Sequence, residues 1–177
     1  MDMINYPTIW PQFFTASIQQ HFHLLKEDSY KDIIVNSLKF LVDDKRIDLS
    51  AFIILSNHVH IIWQPLQHYT LTDIQASFMR HTAKHILKKL EGENPELKEK
   101  LKVNKYDREY QVWKREPLSI ELFNEKTFMQ KLEYIHNNPV AAKLVALPED
   151  YKYSSAKFYE TGLDEFNIIT HYSGNGL

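Results

Sequence analysis

IDLSAFIILSNHVHIIWQP, residues 47–65, reads as two extended stretches, Leu49 to Leu55 and Val59 to Gln64, joined by a tight turn at Ser56-Asn57 and stopped by Pro65. Successive side chains of a strand point to opposite faces, so His58 and His60 share one side while Val59 and Ile61 take the other. A pair of imidazoles side by side in an otherwise apolar run suggests a metal ligand pair. The chain has no cysteine, which removes disulfides, thiolate sites and a cysteine nucleophile. Any metal must therefore take nitrogen and oxygen ligands.

Working outward, WPQFFTASIQ (Trp10 to Gln19) mixes aromatic and β-branched residues and predicts a first strand. Apolar residues at Ile33, Ile34, Leu38 and Leu41 predict a helix from Asp28 to Val42, with Asp28 or Ser29 as N-cap. A second helix runs through TLTDIQASFMRHTAKHILKKLEG, with Ile74, Phe78, Ala83, Ile86, Leu87 and Leu90 along one side and Gly92 at its end. GENPELKEKLKVNKYDRE lacks an apolar stripe and reads as a solvated loop with one short helical turn. YQVWK predicts a strand, and NEKTFMQKLEYIHNN a third helix with Phe128, Leu132 and Ile135 as its buried stripe and Pro139 beyond its end. Strand, helix, strand, strand, helix, strand, helix implies an α+β fold: a ferredoxin-like sandwich with helices on a small antiparallel sheet.

With 177 residues, the chain fits a single domain, 1–177. No apolar run approaches the roughly 18 residues of a membrane span, and MDMINYPTIW does not have the basic-then-apolar pattern of a signal peptide. A cytoplasmic location is the expectation. Net charge is −2, which argues against a protein that coats nucleic acid non-specifically. Yet Arg80 to Arg115 holds eleven Lys or Arg against six acids. Such a run is commonly a solvated helix face. If it binds DNA, Arg80, Lys84 and Lys88 share a helical face and are the candidates for phosphate contacts.

On the third helix Tyr134 lies about 160° round from Leu132, so its ring is not simply part of the buried stripe. Asn138, four residues on, shares its face, and an amide oxygen suits a hard cation such as Mg²⁺ or Mn²⁺. His81 and His85 form a further i, i+4 pair; they and His136 are expected at solvated or DNA-facing positions. The aromatic tail YKYSSAKFY could stack on bases, but Tyr151, Tyr153, Phe158 and Tyr159 are expected mostly to close the core.

NHVHII, then YIHNNPV and PEDYKYSSAKFY, resembles the single-tyrosine transposases of the HUH superfamily, especially the REP-associated tyrosine transposases, over about residues 13–160. The family pattern is His, a bulky apolar residue, His on a central strand, with a helix offering Tyr and, four residues on, Asn or Gln. The resemblance implies a metal-dependent single-stranded DNA endonuclease and strand transferase: Tyr134 as nucleophile forming a 5′-phosphotyrosine, and His58, His60 and Asn138 as ligands of Mg²⁺ or Mn²⁺. Single-stranded or hairpin DNA is the implied partner, and the protein a monomer or homodimer. A catalytically silent hairpin-binding module and a nuclease that activates water are the alternatives. Two departures stand out: Leu55-Ser56 where relatives often have Met-Pro, and Lys143 in NPVAAKLV where relatives often have Gly, so the turn after the helix is expected to differ.

Overall fold

The computed structural model describes residues 10–66 and 68–172. The N-terminal reading rests on residues 1–9, outside the described residues. Four strands, β1 (Gln12–Ser17), β2 (Ile47–Ile54), β3 (His58–Pro65) and β6 (Leu118–Glu121), form an antiparallel sheet in the order β2-β3-β1-β6, while β4 (Lys102–Lys105) and β5 (Arg108–Tyr110) pair apart from it. A helix follows each of β1 and β3, α1 (Asp28–Asp43) and α2 (Leu71–Glu93), and α4 (Glu125–Ala141) follows β6. The architecture is mixed α+β, a small antiparallel sheet with packed helices. Among the described residues no helix is long and apolar enough to cross a membrane.

The two sheet faces carry different helices. Phe14 and Ala16 of β1, Val59, Ile61 and Trp63 of β3, and Leu49, Phe52 and Ile54 of β2 pack against Ile34 and Leu38 of α1 and Phe78 and Ile86 of α2. Phe13, Ile62, Ala51 and Ile53 face the other way, under Phe128, Leu132 and Ile135 of α4. Leu49 and Ala51 are two residues apart yet lie on opposite faces, because the register slips between them. Ser50 is the extra residue of a bulge, and its carbonyl accepts from the Tyr159 phenol at 2.8 Å. The bulge brings Ala51, Ile53 and Leu55 onto the α4 side, where His60 also lies.

Helix ends follow local chemistry. Thr70 caps α2 by accepting from the Asp73 N–H at 3.1 Å. Asn94 closes α2 and opens α3 (Pro95–Lys100), its side chain accepting from Leu97 N–H at 3.0 Å. Asn124 caps α4 through the Thr127 N–H at 2.8 Å. The expected N-caps of α1 fail: the cap position is Glu27, with no side-chain bond.

Three expectations need correction. The charged stretch after α2 is not a loop with one helical turn: it forms α3 and then a two-stranded arm, β4 (Lys102–Lys105) and β5 (Arg108–Tyr110). Its strands, KVNK and REY, are short and mostly polar and give no apolar period to detect. Of the strand expected at YQVWK, Tyr110 ends β5 and Trp113 makes only an isolated bridge to Ile18, and the fourth strand of the sheet is β6, an edge of four residues too short to stand out. Pro139 does not lie beyond α4 but inside it; the helix survives because Pro falls in its last turn and the chain closes beyond it, Leu144 N–H donating to Pro139 O at 2.9 Å. Lys143 takes the left-handed φ of 58° that a glycine would supply, so the turn forms without one.

Candidate functional site

The α4-facing side of the sheet carries a polar cluster where the apolar rows end. In register, His60 stands between Thr15 of β1 and Ile53 of β2, and His58 opposite Ser17. The His58 and His60 rings meet edge to face with centroids 4.9 Å apart. His60 is 5% exposed and stacks on Phe13 at 5.5 Å. From α4, the Tyr134 ring packs edge-on against His60 at 5.2 Å and against Phe13 at 6.1 Å, while 49% of the residue stays open to solvent. The Lys131 ammonium, one turn earlier, lies 4.7 Å from the Phe13 ring and 5.8 Å from the Tyr134 ring.

Both imidazoles have one nitrogen occupied. His58 Nδ1 is 2.7 Å from Asn57 Oδ1; an amide oxygen only accepts, so Nδ1 carries the proton and Nε2 the lone pair. His60 Nδ1 shares a 2.7 Å hydrogen bond with Thr15 Oγ1, and His60 Nε2 is buried without a hydrogen-bond partner among the described residues. Burial, helped by the charges of His58 and Lys131, pushes the His60 imidazole down to about 3, and burial with the His21 charge lowers His58. Two neutral imidazoles with their Nδ1 atoms held and an orphaned Nε2 form a donor set that fits a divalent cation; imidazole ligands of metals ordinarily bond their second nitrogen in this way. Thr15 and Asn57 thus belong to the site. Nothing in the sequence says which β1 residue faces His60, so Thr15 carries no signal there. Asn57, adjacent to His58, carries only a turn signal.

Of the residues expected here, His58, His60 and Tyr134 come together. Asn138 is half-buried on the Tyr134 face of α4, one turn on. Among the described residues no cluster of three or more His, Cys, Asp or Glu could hold a metal ion, so a third protein ligand would have to be of another type. His136 is not solvated as expected: it turns to the core, 2.8 Å from Ser155 Oγ, and burial pushes it down to about 4. His81 and His85 are exposed, with rings 4.1 Å apart and His85 Nδ1 bonded to the His81 carbonyl. The C-terminal aromatics close the core: Tyr153 is 2% exposed in the cluster against α1 and α2, Tyr159 packs on the cluster under α4, and Tyr151 touches both.

Arg80, Lys84 and Lys88 line one wall of a groove of about 910 Å³. Its other wall is the arm and the segment after it, adding Arg108, Lys114 and Arg115, with Lys98 from α3. Among the described residues that line the groove, Glu91 and Asp107 alone oppose these cations, and they are paired with Lys98 and Arg108 respectively. The groove therefore presents a net positive surface, gathered from segments that in sequence look like balanced charge runs.

No family model and no curated protein matches the chain. Among solved structures, a REP-associated tyrosine transposase bound to a REP hairpin is similar over 97% of this chain and 96% of that one, with a TM-score of 0.64 and 16% identity. A presumed transposase from Deinococcus radiodurans R1 is similar over 77% of this chain and 96% of that one, with a TM-score of 0.48 and 16% identity. At the level of the fold, then, the chain is similar to that REP-associated tyrosine transposase.

Proposed function

We propose that this chain is a single-domain, metal-dependent single-stranded DNA endonuclease and strand transferase of the HUH single-tyrosine type, with a ferredoxin-like core and hairpin DNA as its partner. The observation that carries this reading is the meeting of an exposed phenol with a buried imidazole whose Nε2 has no partner: Tyr134 packs on His60 at 5.2 Å. A core histidine needs no such orphan, and a core tyrosine no such exposure.

A divalent cation, Mg²⁺ or Mn²⁺, held by His58, His60 and Asn138 would neutralise charge on an oxygen of the scissile phosphate. Thr15 and Asn57 hold the two imidazoles by their Nδ1 atoms. Tyr134 is the nucleophile: its oxygen bonds phosphorus as the P–O3′ bond breaks, the phenolic proton goes to solvent, and the departing 3′ oxygen takes up a proton. The product is a 5′-phosphotyrosine and a free 3′-hydroxyl, and attack by a second 3′-hydroxyl reverses the step and joins new ends. Lys131 adds a positive charge beside the ring, where an anionic phosphate would approach. The groove lined by Arg80, Lys84 and Lys88 contacts phosphates of the bound DNA. The hairpin carried by the solved relative supports this class of partner.

The competing reading is a module that binds hairpins without cutting them. Labelled hairpin DNA with Mn²⁺ on a denaturing gel separates the two. A protein-linked band lost in Tyr134→Phe supports the transferase, binding with no such band supports the module, and cleavage that survives Tyr134→Phe but not His60→Ala means that water is the nucleophile.

A further inference from the structure

Between the basic groove and the histidine pair lies a turn that touches both. Lys114 lines the groove, and its ammonium donates to His21 Nε2 at 2.6 Å. The His21 carbonyl is 3.5 Å from Asn57 Nδ2, on the same amide whose oxygen accepts from His58.

The turn is held in an unfavourable backbone conformation. Gln20 and His21, neither of them glycine, have φ of 54° and 56°, a left-handed pair that L-residues avoid and that persists only where surrounding contacts impose it. Those contacts are present: Gln19 N–H donates to Val112 O at 2.7 Å, Ile18 N–H to Asn57 O at 2.8 Å, and Gln111 Nε2 to Gln19 Oε1 at 3.1 Å. The same contacts tie the turn to the groove segment on one side and to the His58 turn on the other.

The chemistry of the pair is that of an anion subsite. With Nε2 accepting from Lys114, a neutral His21 carries its proton on Nδ1, and the ammonium keeps two further N–H donors. His21 is exposed and Lys114 half-buried, and no carboxylate pairs with either among the described residues. Resting on the nuclease reading, we propose that Lys114 and His21 bind a backbone phosphate of the single strand where it passes from a stem in the groove to His58, His60 and Tyr134. The subsite couples the element that recognises the hairpin to the element that cuts beside it.

The test uses the full chain and labelled DNA: a blunt hairpin, and the same hairpin with a short single-stranded extension on its 5′ or its 3′ side. Anisotropy titrations over a range of salt give affinities and salt slopes. The extension on one side is expected to tighten wild-type binding at least threefold. Lys114→Ala should abolish that gain, weakening the extended DNA more than the blunt hairpin, and flatten the salt slope on the extended DNA by about 0.7 more than on the blunt hairpin, the value for one single-strand phosphate contact. Lys114→Arg should keep the gain, and His21→Asn, a residue that tolerates the left-handed turn, should lose at least half of it. An equal loss on blunt and extended DNA, or an undiminished gain in both Lys114→Ala and His21→Asn, overturns the subsite. Wild-type binding to the hairpin with no gain from either extension overturns it too, leaving the groove intact. No wild-type binding to any of the three DNAs defeats the subsite and the DNA reading together.

Discussion

Lowering the pH from 7 to 5 is expected to destabilise the metal-free fold by about 4 kcal/mol, through His60 and His136. Both are neutral in the folded protein, His60 pushed down to about 3 and His136 to about 4, with burial the main cause in each case. In the unfolded chain both return to the ordinary value near 6.5. A group whose folded pKa is depressed costs nothing while the pH stays above its unfolded pKa. Below that, the unfolded state takes up a proton that the folded state refuses, and stability falls until the folded pKa is reached. At about 1.4 kcal/mol per pH unit, the step from 6.5 to 5 costs about 2 kcal/mol for each histidine. Urea unfolding at several pH values checks this, the stability loss being confined to the window below 6.5. His136→Gln should remove about half of the loss without touching the His60 cluster. Unfolding midpoints that stay level from pH 7 to 5, or a slope unchanged in His136→Gln, would refute the burial argument for these two rings.

Two further expectations concern single positions. Thr15→Val keeps the shape and strand preference of Thr15 but removes the Oγ1 at 2.7 Å from His60 Nδ1; leaving both nitrogens of a buried imidazole unbonded should cost about 1–3 kcal/mol and weaken Mn²⁺ binding by about tenfold or more, read by thermal unfolding with and without the metal. Lys143→Gly should stabilise by about 0.5–1 kcal/mol, since the left-handed φ of 58° is unfavourable for Lys and free for Gly, less the entropy glycine gains on unfolding; a destabilised variant in urea titration would contradict this.

What could be read from the sequence was what periodicity carries. The alternation through His58, Val59, His60 and Ile61 put the imidazoles on one face and the aliphatics on the other, and the strand bears this out, with Val59 and Ile61 in the core against α1 and α2. The stripe Phe128, Leu132, Ile135 placed α4 on the sheet and turned Tyr134 away from the deepest core, and the ring is exposed over the histidines. What could not be read were features set by contacts distant in sequence. The Ser50 bulge changes which β2 residues face α4 without any glycine or proline to announce it. β6 and the arm are short and solvated, so their strand character comes from pairing partners rather than from an apolar pattern of their own. The groove assembles cations from α2, α3, the arm and the segment after it, and the bond from Lys114 to His21 spans 93 positions.

The most direct test of the account is mass spectrometry of the protein after reaction with a single-stranded, hairpin-bearing oligonucleotide and Mn²⁺. Among the ten tyrosines of the chain, the account predicts that Tyr134 alone carries a 5′-linked nucleotide, in amounts that fall to background in His60→Ala. Cleaved DNA with no modified tyrosine, or a nucleotide on a different tyrosine, would contradict it.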